Sequence, residues 1–368
     1  MHPQHPRSSS CRITPTPARC IEARATVAST ITSPHWLPGG HLQTIVPLLR
    51  KGVTPPYRRE RIETADGDFV DFDWLSSGSD TTPLVVLFHG LEGSSRSHYA
   101  RSLMRAVQTL GWRGVVPHFR GCSGEPNRLL RAYHSGDSDE IDWMLRLLRT
   151  RAGSAPLFAS GVSLGGNALL KWLGEQAQHA TNIVDAAVSV CAPLDLAISG
   201  HALGSGFNIL YTRHFLKTLV RKAEHKHLRH PGEFDIARAR TSRTLHAFDD
   251  AFTAPVHGYS GADDYWQRAS SKPWLARIQV PTLIINPRND PFVPASAWPL
   301  PSELPSAVSF ECPPGGGHAG FLTGNPPGKL NWLPDRILAH FRAQPHVAYP
   351  EESFPVLITL ESKRSFLR

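Results

Sequence analysis

The segment Gly161-Val162-Ser163-Leu164-Gly165 sets a serine between two glycines at the spacing of a sharp strand-to-helix turn. A side chain at either glycine would strike neighbouring backbone in so tight a turn, and Gly166 leaves further room for the helix that follows. A hydroxyl held there can attack an acyl carbonyl if a base within hydrogen-bond reach takes its proton. Of the nineteen histidines, His318 has the address of that base, in the loop Gly315-Gly316-Gly317-His318-Ala319-Gly320-Phe321. Its glycines let the backbone carry the imidazole over the turn. The second ring nitrogen needs an acceptor, and Asp290 in Asn289-Asp290-Pro291-Phe292 precedes His318, giving the chain order Ser, Asp, His. Asp263 and Asp264 compete for that role, but each reads as a surface aspartate in a turn. Charge developing on the carbonyl oxygen calls for preorganised N–H donors: Leu164, directly after the nucleophile, and an amide of the His89-Gly90-Leu91-Glu92-Gly93-Ser94 loop, assigned to Leu91.

Those residues have to be delivered by particular elements. Arg61 to Thr64 and Phe69 to Trp74 alternate in polarity around an Asp66-Gly67 turn signal and read as an opening hairpin. The apolar run Leu84-Val85-Val86-Leu87-Phe88 reads as a strand buried on both faces, ending where the His89 loop begins. Helical periodicity from Ser97 to Leu110, a short strand over 114–117, and a helix from Asp137 to Arg149 continue an alternation that builds a parallel sheet. Leu157 to Ser160 is the strand that enters the serine turn and Leu164 to Gln176 the helix that leaves it, followed by a strand over 183–190. Residues 195–272 interrupt the pattern with polar, mostly helical sequence, as a cap inserted over a site would. Strands over 280–286 and 307–312, then a helix from Trp332 to Phe341, close the fold. The expected architecture is therefore α/β: an α/β-hydrolase fold over 31–344, its mostly parallel sheet flanked by helices and carrying an inserted helical cap.

Composition bounds what surrounds this unit. With 40% hydrophobic and 19% charged residues, the 368-residue chain has the material for a large core and is not globally disordered. Residues 1–30 are rich in Ser, Thr, Pro and Arg with Glu22 the only acid, and read as a flexible extension; the tail over 345–368 carries no clear pattern. The net charge of +8 is concentrated between Arg213 and Arg243, where nine Lys/Arg face Glu224, Glu233 and Asp235. That stretch reads either as a solvated helical face or as a surface attracted to an acidic substrate or an anionic membrane; it forms no run of the kind that binds nucleic acid. Five widely spaced cysteines without a C-x-x-C pair suggest reduced thiols. No apolar run is long enough to span a bilayer and no secretory h-region is present, so a cytoplasmic location is expected. No metal-ligand spacing or phosphate-binding fingerprint is found, and no cofactor is implied.

Further motifs sharpen the reading. Together with the His89 loop and the serine motif extended to Gly166-Asn167, they are Phe119-Arg120-Gly121-Cys122-Ser123-Gly124, Asn127-Arg128, Tyr133-His134-Ser135-Gly136, Phe248-Asp249-Asp250, Thr253-Ala254-Pro255, Gly258-Tyr259, Asp264-Tyr265 and Ser270-Ser271. Over roughly residues 34–342 the chain resembles the YheT-like, or ABHD1/ABHD3-like, branch of the α/β-hydrolases. It departs from that branch at Trp266, where a second tyrosine is frequent, and in its two terminal extensions. The resemblance implies a Ser-Asp-His charge relay, which falls on Ser163, Asp290 and His318, and members that act as esterases, medium-chain phospholipases or, in yeast, alcohol acyltransferases. The expected function is hydrolysis of carboxylic esters, of short to medium acyl chain or of lipids, by way of an acyl-enzyme. Acyl transfer to an alcohol, or a non-catalytic binding role for the same fold, are the alternatives. No catalytic role follows for Tyr133 to Gly136, which read as support for the loop beneath the site.

Overall fold

The computed structural model describes residues 31–50 and 52–345; the extension expected over 1–30 and the tail from 346 onward lie outside the described residues. The first element, helix α1 (Gly39–Leu48), was not expected, because its buried residues are Gln43, Thr44 and Pro47 rather than an apolar stripe. The hairpin follows as β1 (Tyr57–Glu63) and β2 (Phe69–Leu75), paired antiparallel with Glu60 opposite Phe72. Then strand and helix alternate: β3 (Leu84–Phe88), α2 (His98–Thr109), β4 (Arg113–Pro117), α3 (Ser138–Ala152), β5 (Leu157–Val162), α4 (Leu164–Gln176) and β6 (Ala186–Val190). Helix α3 shows the local logic. Asp137 caps its start by accepting from the Glu140 amide, Asp139 and Glu140 occupy its first turn and Arg149 and Arg151 its last, each sign at the end its charge favours.

Between β6 and β7 (Thr282–Ile285) the chain leaves the sheet for helices α5 (Leu196–Leu203), α6 (Ile209–Arg229), α7 (Ile236–Thr241), α8 (Leu245–Phe248), α9 (Ala254–Val256) and α10 (Ala262–Ala269), with a π-helical turn over Asp249–Thr253. Strand β8 (Val308–Glu311) and helix α11 (Trp332–Arg342) complete the described chain. The eight strands lie in the order β1-β2-β4-β3-β5-β6-β7-β8; β2 pairs antiparallel with β1 and β4, and every other neighbour is parallel. This is the α/β-hydrolase fold, with helices on both faces of the sheet.

Both sheet faces are covered, which is why β3 reads as an unbroken apolar run. Leu84, Val86 and Phe88 point into a core shared with Ile141, Met144 and Leu148 of α3 and Leu169 and Leu173 of α4. Val85 and Leu87 point the other way, to Leu103 and Val107 of α2 and Ile337 and Phe341 of α11. The helical insertion has a smaller core of its own around Leu216, Phe234, Phe248 and Phe252. It is also fastened to the body: the buried Lys226 ammonium donates to the Asn127 Oδ1 at 2.6 Å and to the carbonyls of Leu129 and Arg131. Asn127 in turn donates to Asp68 Oδ2 at 2.6 Å, the carboxylate that also takes Arg120 at 3.2 Å. Of the cysteines, Cys122 and Cys191 are free thiols.

Candidate active site

Strand β5 ends at Val162 and α4 begins at Leu164, leaving Ser163 alone at the turn with φ 55° and ψ −119°, a backbone state costly for a side-chain-bearing residue. The motif glycines make the turn feasible. A Cβ on Gly161 would lie 2.4 Å from the Gly165 carbonyl oxygen, and one on Gly165 would lie 2.5 Å from that of Phe88. The Ser163 amide donates to the Val190 carbonyl at 2.8 Å, which ties the turn to the end of β6.

The fold brings Ser163, His318 and Asp290 together from three separate loops. His318 Nε2 lies 2.9 Å from Ser163 Oγ, and His318 Nδ1 lies 2.9 and 3.1 Å from the two Asp290 carboxylate oxygens. The Asp290 side chain is fully buried and also accepts from the Phe292 amide at 2.8 Å, so its orientation is fixed from two directions. Asp263 and Asp264, the competing acids, instead pair with His246 and Arg268 at the surface.

Helix α1 braces this arrangement from behind. Its Thr44 Oγ1 accepts from the His318 amide at 2.8 Å, and Gln43 Oε1 accepts from the Gly316 amide at 2.8 Å and from Asn289 Nδ2 at 2.9 Å. One short helix thus holds both the loop bearing Asp290 and the loop bearing His318. These two residues were missed in the sequence. The only available signal was a polar pair inside an otherwise apolar segment, which looks like a solvated face.

In the His89 loop, the amides of Gly90, Glu92, Gly93 and Ser94 are all engaged. They donate to the Tyr99 hydroxyl (2.9 Å), the Tyr133 hydroxyl (2.9 Å), the Gly90 carbonyl (2.9 Å) and Ser97 Oγ (3.1 Å) respectively. The His89 and Leu91 amides are left without a partner among the described residues; of the two only Leu91, like Leu164, lines the same cavity as Ser163 and His318. Tyr133 does more than fill space here. It accepts from the Glu92 amide and donates to Glu92 Oε1 at 2.6 Å, and that same oxygen receives Lys222 Nζ of α6 at 2.6 Å. Burial raises the Tyr133 hydroxyl well above the usual phenol range, so it remains a donor.

The cavity has a volume of about 120 Å³ and is walled by both body and insertion. Its lining is mainly apolar, with Leu196, Leu219, Phe248 and Phe292 among the contributors. Polar groups stand in the wall as well, among them buried His134 and part-buried Asp249. His134 is pulled down to about 3 by burial and so stays neutral. Asp249 is pushed up to about 6 by burial, although it accepts from Thr253 Oγ1 at 2.6 Å and from Trp266 Nε1 at 2.8 Å. The indole that departs from the family pattern is therefore the partner of a carboxylate in this wall.

Cys191, Asp290 and His318 place ligand-type atoms within 4.8 Å of one another. The carboxylate and imidazole already pair with each other. Burial first, and then the charge of Asp290, push the Cys191 thiol well above its usual range, so it stays a protonated sulfur rather than a thiolate ligand.

Residues 83–325 match the sequence family described as alpha/beta hydrolase fold. The chain is 43% identical over 302 residues to the putative esterase YheT of Escherichia coli strain K12, covering 81% of this chain and 88% of that protein. It is 31% identical over 320 residues to the human phospholipase ABHD3, covering 83% and 76% respectively. Among solved structures, Est1E from Butyrivibrio proteoclasticus with bound ferulic acid superposes with a TM-score of 0.52 at 14% identity, covering 77% of this chain and 98% of that one, a likeness of fold.

Proposed function

Since the chain belongs to the α/β-hydrolase fold family, and within it to the YheT- and ABHD3-like branch, we propose that it hydrolyses carboxylic esters with Ser163 as nucleophile. The observation that carries this reading is the continuous hydrogen-bonded line Ser163 Oγ, His318 Nε2, His318 Nδ1, Asp290. His318 takes the Ser163 proton as Oγ attacks the acyl carbonyl, Asp290 stabilises the imidazolium, and the proton passes to the departing alkoxide. A water molecule, deprotonated by His318, then attacks the acyl-enzyme and releases the acid while Ser163 recovers its proton. The Leu91 and Leu164 amides receive the oxyanion in both steps; one such donor is worth ~2.7–4 kcal/mol of barrier. The mainly apolar lining and modest volume of the cavity favour an acyl group of short to medium length.

Two measurements test the assignment. Ser163→Ala should abolish turnover of p-nitrophenyl butyrate and labelling by a fluorophosphonate while the protein melts as the parent does; turnover that survives the substitution in pure protein would sink it. Asp290→Asn should keep the geometry but mis-set the imidazole tautomer, lowering kcat by roughly 10⁴ as in other such relays.

A further inference from the structure

Helix α1 is inside out. Gln43 and Thr44 are buried, whereas Leu42 is 44% and Leu49 73% exposed, and Ile45 lies between them on the same face. A helix on a surface meant only for water shows the reverse pattern. The exposed face continues into the insertion. His41 Nδ1 lies 3.2 Å from the Tyr211 hydroxyl and the His41 ring 4.6 Å from that of Phe207, joining α1 to the start of α6. There Phe207 and Leu210 are both about half exposed.

From Leu210 the outward side of α6 runs on at helical spacing through His214, Lys217, Arg221 and His225, all exposed. The one acid of α6, Glu224, is taken by Arg240 at 2.8 Å, and no ion pair among the described residues engages Lys217 or Arg221. Apolar anchors and an uncompensated cationic stripe thus meet on one side of the molecule, the combination that seats a protein in the plane of an interface.

We propose that this face docks peripherally on an anionic lipid surface, with Leu42, Phe207 and Leu210 at the acyl boundary and Lys217 and Arg221 against the headgroups. Charge selects this occupant. A second copy meeting the face about a two-fold axis would set the cationic stripe against itself. Residues 1–30, with four arginines and Glu22 as the only acid, carry the wrong sign to cover it. Position supports it as well: the rings of Phe207, Tyr211, Phe292 and His318 follow one another at 6.0, 4.7 and 4.3 Å, so the docked face adjoins the ester-binding cavity.

The proposal does not depend on the ester chemistry, and its test reads binding alone. The full chain is sedimented with phosphatidylcholine vesicles with and without phosphatidylglycerol, and folding is checked by thermal melting. Binding should require phosphatidylglycerol and fall as salt is added. The double variant Lys217→Glu/Arg221→Glu should lose roughly tenfold or more in partitioning. Phe207→Ser/Leu210→Ser should bind less tightly but keep the salt dependence. Absence of binding by the parent chain at low salt, or parental binding by both well-folded double variants, would overturn the proposal. So would concentration-dependent self-association that the same substitutions abolish, since the face would then belong to a second copy.

Discussion

Ser163, Asp290 and His318 are legible one by one because each carries a signal that survives the loss of all three-dimensional context. The serine is flanked by glycines that only a sharp turn demands, and the acid and base follow in chain order after their strands. Tyr133 carries no such signal. Its partner Glu92 is 41 residues away, and a tyrosine in an irregular loop has no periodicity to read. Yet its hydroxyl occupies the Glu92 amide and carboxylate at once, directly beside the unpartnered Leu91 amide. Removing that hydroxyl should let the loop relax and the Leu91 amide drift from the oxyanion. Tyr133→Phe is therefore expected to lower kcat roughly tenfold, a part of what losing one donor costs, with little change in KM. Steady-state kinetics with unchanged kcat would remove Tyr133 from this role.

Elements were legible where their faces obey the usual partition of apolar and polar residues. The run Leu84 to Phe88 became β3, and the helix read over 164–176 became α4, because both are buried among apolar neighbours. Strand order and the contacts between distant loops were not legible, since neither leaves a local pattern. Helix α1 was illegible for a different reason: its polar residues are spent inward, on amides of loops that lie far along the chain. Replacing Thr44 with Val keeps its shape and removes the acceptor of the His318 amide. Leaving that buried amide unsatisfied costs about 1–3 kcal/mol. The expected outcome is a lowered melting temperature together with a fall in kcat, measured on the same preparation; a loss of stability with kcat intact would show that the helix braces the fold but not the base.

At the scale of the whole molecule, the insertion and the body meet through apolar packing, with Ile198, Leu203, Tyr211 and Phe215 against Phe292 and Val293, and through a few charged side chains. Lys226 is a charged rivet, donating to Asn127, Leu129 and Arg131 in the loop after β4, while Lys222 reaches the His89–Ser94 loop through Glu92. In the sequence both lysines were indistinguishable from the rest of a basic stretch, because a helix of mixed Lys, Arg and His does not reveal which cations turn inward. Lys226→Met keeps the length of the stem and removes the donors, stranding several carbonyls; hydrogen bonds to a charged group are each worth ~1.5–3 kcal/mol. The variant should melt well below the parent and show a raised KM for p-nitrophenyl butyrate, as the wall of the cavity loosens. A melting curve that overlays the parent would mean the insertion is held by other contacts.

The bond from the His318 amide to Thr44 joins residues 274 apart, nearly the two ends of the described chain. On the ribosome, α1 therefore emerges long before the loop it will support, and it must wait with its polar side uncovered while the entire sheet is laid down. A nascent polypeptide stalled within the helical insertion would already contain the serine turn and both amides assigned to the oxyanion, yet lack His318, the proposed base for Ser163. On the proposed assignment, esterolysis waits for the closing stage of synthesis, when the loop bearing His318 docks against α1.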